Sequence, residues 1–117
     1  MLRTDRDKLL NVVFFRTGAG KEPVREWLKS LTRDDKVNIG GDILAVQRTW
    51  PIGKPLVDYL GDGIWEVRSK LKDRIARVLF MTDGEDMVLL QGFIKKDRRT
   101  PKSDLDLAKK RKKQYES

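Results

Sequence analysis

Three strand-like runs follow one another over residues 64–95 with almost nothing between them, and this restricts the fold more than any other feature. They span Ile64 to Leu71, Arg74 to Thr82 and Met87 to Lys95, with turns at Lys72-Asp73 and Asp83-Gly84-Glu85. Connections this short can only reverse the chain, so the runs predict a three-stranded antiparallel meander. In the first run Trp65, Val67 and Ser69 face one way, and Glu66, Arg68 and Lys70 face the other. One side of that strand reads as core and the other as a polar stripe.

The rest of the chain supplies what packs on such a sheet. Met1 to Leu10 reads as a polar lead-in. Asn11-Val12-Val13-Phe14-Phe15 is β-branched and aromatic, a short buried strand ended by Thr17-Gly18-Ala19-Gly20. Glu22 to Leu31 reads as a helix: Pro23 suits its first turn, and Val24, Trp27, Leu28 and Leu31 fall at i, i+3, i+4 and i+7. Thr32 has the character of an N-cap, with Asp35 three residues on, and opens a second helix to about Thr49. Its expected apolar face is Val37, Ile43, Leu44 and Val46, with Gly40-Gly41 inside the pattern as a site of close helix packing. Trp50-Pro51 ends this helix, and Ile52 to Gly63 reads as a loop. Ser103 to Tyr115 reads as a charged C-terminal helix whose apolar side is Leu105, Leu107 and Ala108. The order β-α-α-β-β-β-α predicts an α+β fold, with helices on an antiparallel sheet that the N-terminal strand joins. At 117 residues this is one expected domain, 1–117.

Composition narrows the chemistry. The chain has no Cys and no His, which excludes disulfides, thiol nucleophiles and imidazole acid–base catalysis; neither a metal nor another cofactor is expected. Hydrophobic and charged residues each make up 38%, the balance of a soluble globular chain. No apolar run approaches the roughly 20 residues of a membrane span, and the N-terminus has no secretory apolar region. A cytoplasmic location without membrane association is expected. Of the net charge of +8, the segment from Lys95 to Ser117 carries +6, with 10 Lys/Arg against 4 Asp/Glu. An excess so localised points to phosphates or to an acidic partner, or else to a solvated basic tail.

Arg74 and Arg77 lie on the strand beside Glu66, Arg68 and Lys70, and Lys95 and Lys96 end the next one. Successive residues of the polar stripe stand about 7 Å apart. The arrangement reads either as a solvent-facing sheet with cross-strand ion pairs or as a shallow cationic basin for a phosphodiester. In the second case clustered cations lower one another's pKa, so that a lysine serves as base. Arginines would then stabilise the charge on a pentacoordinate phosphate. Such a site would be a ribonuclease without histidine, using the RNA's own 2′-hydroxyl as nucleophile.

Several phrases together resemble a known family. They are Phe15-x-Thr17-x-x-Gly20-x-x-Pro23-Val24-x-x-Trp27-Leu28, Trp50-Pro51-Ile52-Gly53-Lys54-Pro55-Leu56-Val57 and Leu60-Gly61-Asp62-Gly63-Ile64-Trp65-Glu66-Val67-Arg68-Ser69. Ile75-Ala76-Arg77-Val78-Leu79-Phe80 and Val88-Leu89-Leu90-Gln91-Gly92-Phe93-Ile94-Lys95-Lys96…Thr100-Pro101 complete the set. From Val12 to Tyr115 the chain resembles the phage-derived, HigB-like branch of the RelE/ParE toxin superfamily. The resemblance implies the toxin of a type II toxin–antitoxin pair, a translation-dependent endoribonuclease that cuts mRNA on the ribosome without a metal. It also implies a cognate helix-turn-helix antitoxin as partner, and an oligomer only together with that antitoxin.

By position, the resemblance assigns catalysis to Arg68, Arg77, Lys95 and Lys96. Arg77 would stabilise the scissile phosphate, and Arg68 or a terminal lysine would assist proton transfer. Glu66 is either a base or an ion-pair partner of Arg68. Lys70, Arg74, Arg98, Arg99 and Lys102 are the expected RNA-binding cations. The chain departs from the family at Gln91, where relatives often carry histidine, and at Asp97-Arg98-Arg99, where they carry a small polar residue and Gln-Lys. One branch of the superfamily poisons DNA gyrase without cutting RNA. The alternatives to an mRNA interferase are therefore a non-catalytic gyrase-directed toxin and a plain basic RNA- or DNA-binding module.

Overall fold

The computed structural model describes residues 9–117; all but the last two residues of the polar lead-in, Met1 to Leu10, lie outside them. Five strands form one sheet: β1 (Asn11–Phe14), β2 (Val57–Gly61), β3 (Ile64–Leu71), β4 (Arg74–Asp83) and β5 (Asp86–Lys95). Their spatial order is β1-β5-β4-β3-β2. The expected meander is present, with two-residue turns, and it gains a fourth strand. β2 falls inside the segment read as a loop, where Pro55, Gly61 and Gly63 mask a short Val57–Tyr59 alternation. It pairs with β3 through Val57↔Val67 and Tyr59↔Trp65. The β2–β3 turn places Asp62 and Gly63 at positive φ, 54° and 74°, the backbone that a tight primed hairpin requires. β1 runs parallel to β5, from Asn11↔Asp86 to Phe14↔Leu89.

Helices α1 (Pro23–Ser30), α2 (Arg33–Thr49) and α3 (Lys102–Glu116) flank the sheet. Thr32 is the N-cap of α2, its hydroxyl accepting from the Asp35 amide at 3.3 Å. Two apolar clusters lie on opposite faces of the sheet. One joins Val24, Ile39, Ile43 and Val46 of α1 and α2 to Val67, Ala76, Val78, Phe80, Met87 and Leu89. The other joins Ala108 and Leu105 of α3 to Ile64, Leu79, Met81, Val88 and Leu90. The central strands are therefore covered on both sides, which is why β4 and β5 read as near-continuous apolar runs.

The buried face of α2 differs from the expected one. Asp35, Ile39, Ile43 and Val46 are inside, while Val37 and Leu44 are 66% and 40% exposed. Residues 35, 39, 43 and 46 keep the helical period, and 37 and 44 fall on the opposite side of it. Gly40 and Gly41 also face open space, so they permit no close helix contact. The glycine that does is Gly92 on β5: a Cβ there would run into the ring of Trp27 from α1.

Candidate functional site

α3 covers only part of its face of the sheet. Toward the β3–β4 hairpin the 97–100 segment takes over as the cover, and there the pleat presents Glu66, Arg68 and Lys70 from β3. The register sets Arg68 opposite Arg77 and Lys70 opposite Ile75, with Ile75 in turn opposite Lys95. Pro55, Arg68, Lys70, Ile75 and Arg98 line an open cavity of about 380 Å³ here. Arg98 comes from the segment between β5 and α3, which folds back over the sheet.

Two arginines directly opposite each other repel, and the structure separates them by depth. Arg68 is half-buried at the cavity, whereas Arg77 is wholly buried, at 0% exposure. Arg77 Nε lies 3.7 Å from Glu66 Oε1, and Glu66 is itself only 3% exposed. From the other side, Arg77 Nη2 donates to the backbone carbonyls of Asp97, at 3.0 Å, and Arg98. The Thr100 hydroxyl donates to Glu66 Oε1 at 2.7 Å. One buried ion pair thus clasps the 97–100 segment onto the sheet. Burial pushes the Arg77 pKa down, Glu66 opposes that shift, and the Arg68 charge adds to it. The Arg77 Nε and Nη1 groups, like the Ser69 hydroxyl, make no hydrogen bond.

Direct contact between Arg77 and a scissile phosphate does not fit this arrangement, because no part of its guanidinium reaches solvent. Glu66 partners Arg77 and Thr100 rather than Arg68. Lys70, Lys95, Lys96, Arg98, Arg99 and Lys102 are exposed, the first four around the mouth of the basin or just beyond the end of β5. Arg74 is on the other face of the sheet, where its Nη2 holds both carboxylate oxygens of Asp35 at 3.1 Å and ties β4 to α2. Four residues of the neighbourhood escaped sequence reasoning. Pro55 lines the cavity and Thr100 closes the clasp. Arg111 donates from Nη1 to the Leu90 carbonyl and to Gln91 Oε1, each at 2.8 Å. Asp104 accepts from Gln91 Nε2 at 2.8 Å, so Gln91 fastens α3 to β5. Long-range contacts of this kind leave no local sequence signal.

The basin offers cations and a hydrogen-bonded carboxylate held behind them, a set suited to gripping an anion. Among the described residues no group of three or more His, Cys, Asp or Glu side chains is placed to hold a metal ion, and no helix is long and apolar enough to cross a membrane. No curated protein is significantly similar to the chain in sequence. Residues 26–113, which take in every strand of the meander, α2 and nearly all of α3, match the phage-derived Gp49-like protein family (DUF891), and the chain belongs to that family, a toxin family of toxin–antitoxin systems.

Proposed function

We propose that the protein is the toxin of a type II pair, of the HigB-like branch of the RelE/ParE superfamily, and that it cleaves mRNA on the ribosome. The observation that carries this reading is the cavity in which Arg68, Lys70 and Arg98 converge on a rigid sheet, in a chain of a toxin family. Arg68 and Arg98 grip the scissile phosphate as the 2′-hydroxyl attacks phosphorus and the 5′-oxygen leaves, giving a 2′,3′-cyclic phosphate. Lys95, at the open end of β5, exchanges the protons, and Lys70 and Lys96 hold flanking phosphates. Arg77 and Glu66 act from behind, as positioning residues that fix the segment bearing Arg98. A helix-turn-helix antitoxin would cover this basic face with an acidic segment.

The test is primer extension on mRNA in a translation extract. Arg68→Ala is expected to lower cleavage by about 10²-fold or more, the scale on which one charge-stabilising donor acts; equal cleavage by the variant, or none by the wild type, refutes the reading. The burial of Arg77 favours a second reading, a toxin that binds without cleaving. Growth arrest with intact mRNA would support it, and a supercoiling assay would show whether DNA gyrase is the target.

A further inference from the structure

α3 carries five adjacent cations, Lys109 to Lys113, and only one of them turns inward. Arg111 reaches the Leu90 carbonyl and Gln91, and its guanidinium stands 5.9 Å over the Phe15 ring. The four lysines stay outside and, with Asp62 and Glu116, line an open groove of about 690 Å³ beside the β2–β3 turn. Lys109 pairs with Asp62 at 3.1 Å and Lys112 with Glu116 at 3.1 Å. Lys112 lies across Gly63, where an added Cβ would stand 3.1 Å from its Cε. Lys110 and Lys113 are exposed and have no ion pair among the described residues. Like charges three and four residues apart on a helix repel, so this face costs stability unless an anion occupies it.

We propose that the outer face of α3 is a binding track for RNA phosphates, separate from the sheet cavity, on which Lys102, Lys109, Lys110 and Lys113 hold the strand beyond the cleavage point. The proposal rests on the ribonuclease reading and extends it. Lys102, Lys109 and Lys113 stand at i, i+7 and i+11, on one side of the helix, with rises of ~10 and ~6 Å between them. The row starts directly after the segment whose Arg98 lines the sheet cavity, and it lies on the same side of the sheet. That continuity selects an extended polyanion over a small phosphate. Every residue lining the groove is charged. A protein partner would need an apolar or aromatic socket for its anchors, whereas a phosphate backbone is held by displacement of its counter-ions alone.

The experiment is a salt titration of binding to a fluorescent 2′-O-methyl oligoribonucleotide, which lacks the attacking hydroxyl and stays intact. Wild type is compared with the double variant Lys110→Ala/Lys113→Ala; neither side chain makes an ion pair or hydrogen bond among the described residues, and matched thermal melts confirm the fold. Losing two phosphate contacts is expected to flatten the slope of log K against log salt by about 1.4. An unchanged slope overturns the track while leaving the ribonuclease reading intact. A flattened slope in a protein that never cleaves mRNA upholds the track and removes the catalysis. A wild type that binds no RNA overturns both. Loss of a polyglutamate peptide with the RNA slope unchanged assigns the face to an acidic protein and overturns the proposal.

Discussion

At Arg77 a guanidinium with no exposed atom meets one carboxylate and two carbonyls, and two of its three nitrogens, Nε and Nη1, make no hydrogen bond. A buried pair of this kind adds little net stability, because desolvation offsets the attraction; breaking it is what costs. Glu66→Gln leaves the Arg77 charge without a partner and is expected to destabilise the protein by about 3 kcal/mol, read from the midpoint of urea unfolding. Thr100→Val, which removes a hydrogen bond to a carboxylate, is expected to cost about 1.5 kcal/mol or more. If neither moves the midpoint, the clasp is not structural. Strand alternation alone put Glu66 and Arg68 on one face. It left their depth illegible, since the cover comes from Asp97 to Thr100, and a contact 34 residues apart has no local signature.

Among the elements, the most legible were those with strong local grammar: the hairpins, the Thr32 cap, and α1 with its proline start. The least legible were β2 and the face of α2. β2 is five residues long, sits between turn residues and pairs only on one side, so its pattern is too brief to outweigh its glycines. On α2 a two-glycine interruption hid which apolar residues share the buried side. Two glycines now separate by environment. Gly41→Ala, in open space on an exposed helix face, is expected to stabilise by about 0.5–1 kcal/mol. Gly92→Ala, which drives a methyl into Trp27, is expected to destabilise by about 1–3 kcal/mol. Chemical denaturation of both variants checks the contrast, and equal effects would contradict the packing of α1 on β5.

For the whole molecule, charge is the dominant property: +8 overall and concentrated near the C-terminus, on the basin rim and α3. Such a field draws acidic partners in before contact. For the acidic antitoxin proposed above, the association rate is expected to fall steeply between about 0.01 and 0.15 M salt, as the screening length drops from ~30 to ~8 Å. Stopped-flow mixing measures it; a salt-independent rate would mean that the field plays no part in docking.

The parallel pairing of β1 with β5 has a consequence for biosynthesis. Asn11 meets Asp86, 75 residues further on, and β5 supplies both the partner for β1 and the inner partner for β4. Loops that long close slowly, because their entropy is lost before any contact offsets it. A nascent chain that has emerged only as far as the β3–β4 hairpin therefore lacks β5, the strand that joins β1 to β4, and has no cavity, since Arg98 has not yet arrived. The cationic basin cannot assemble until Arg98 and Thr100 have left the machine that makes the chain, well after β3 and β4 have emerged.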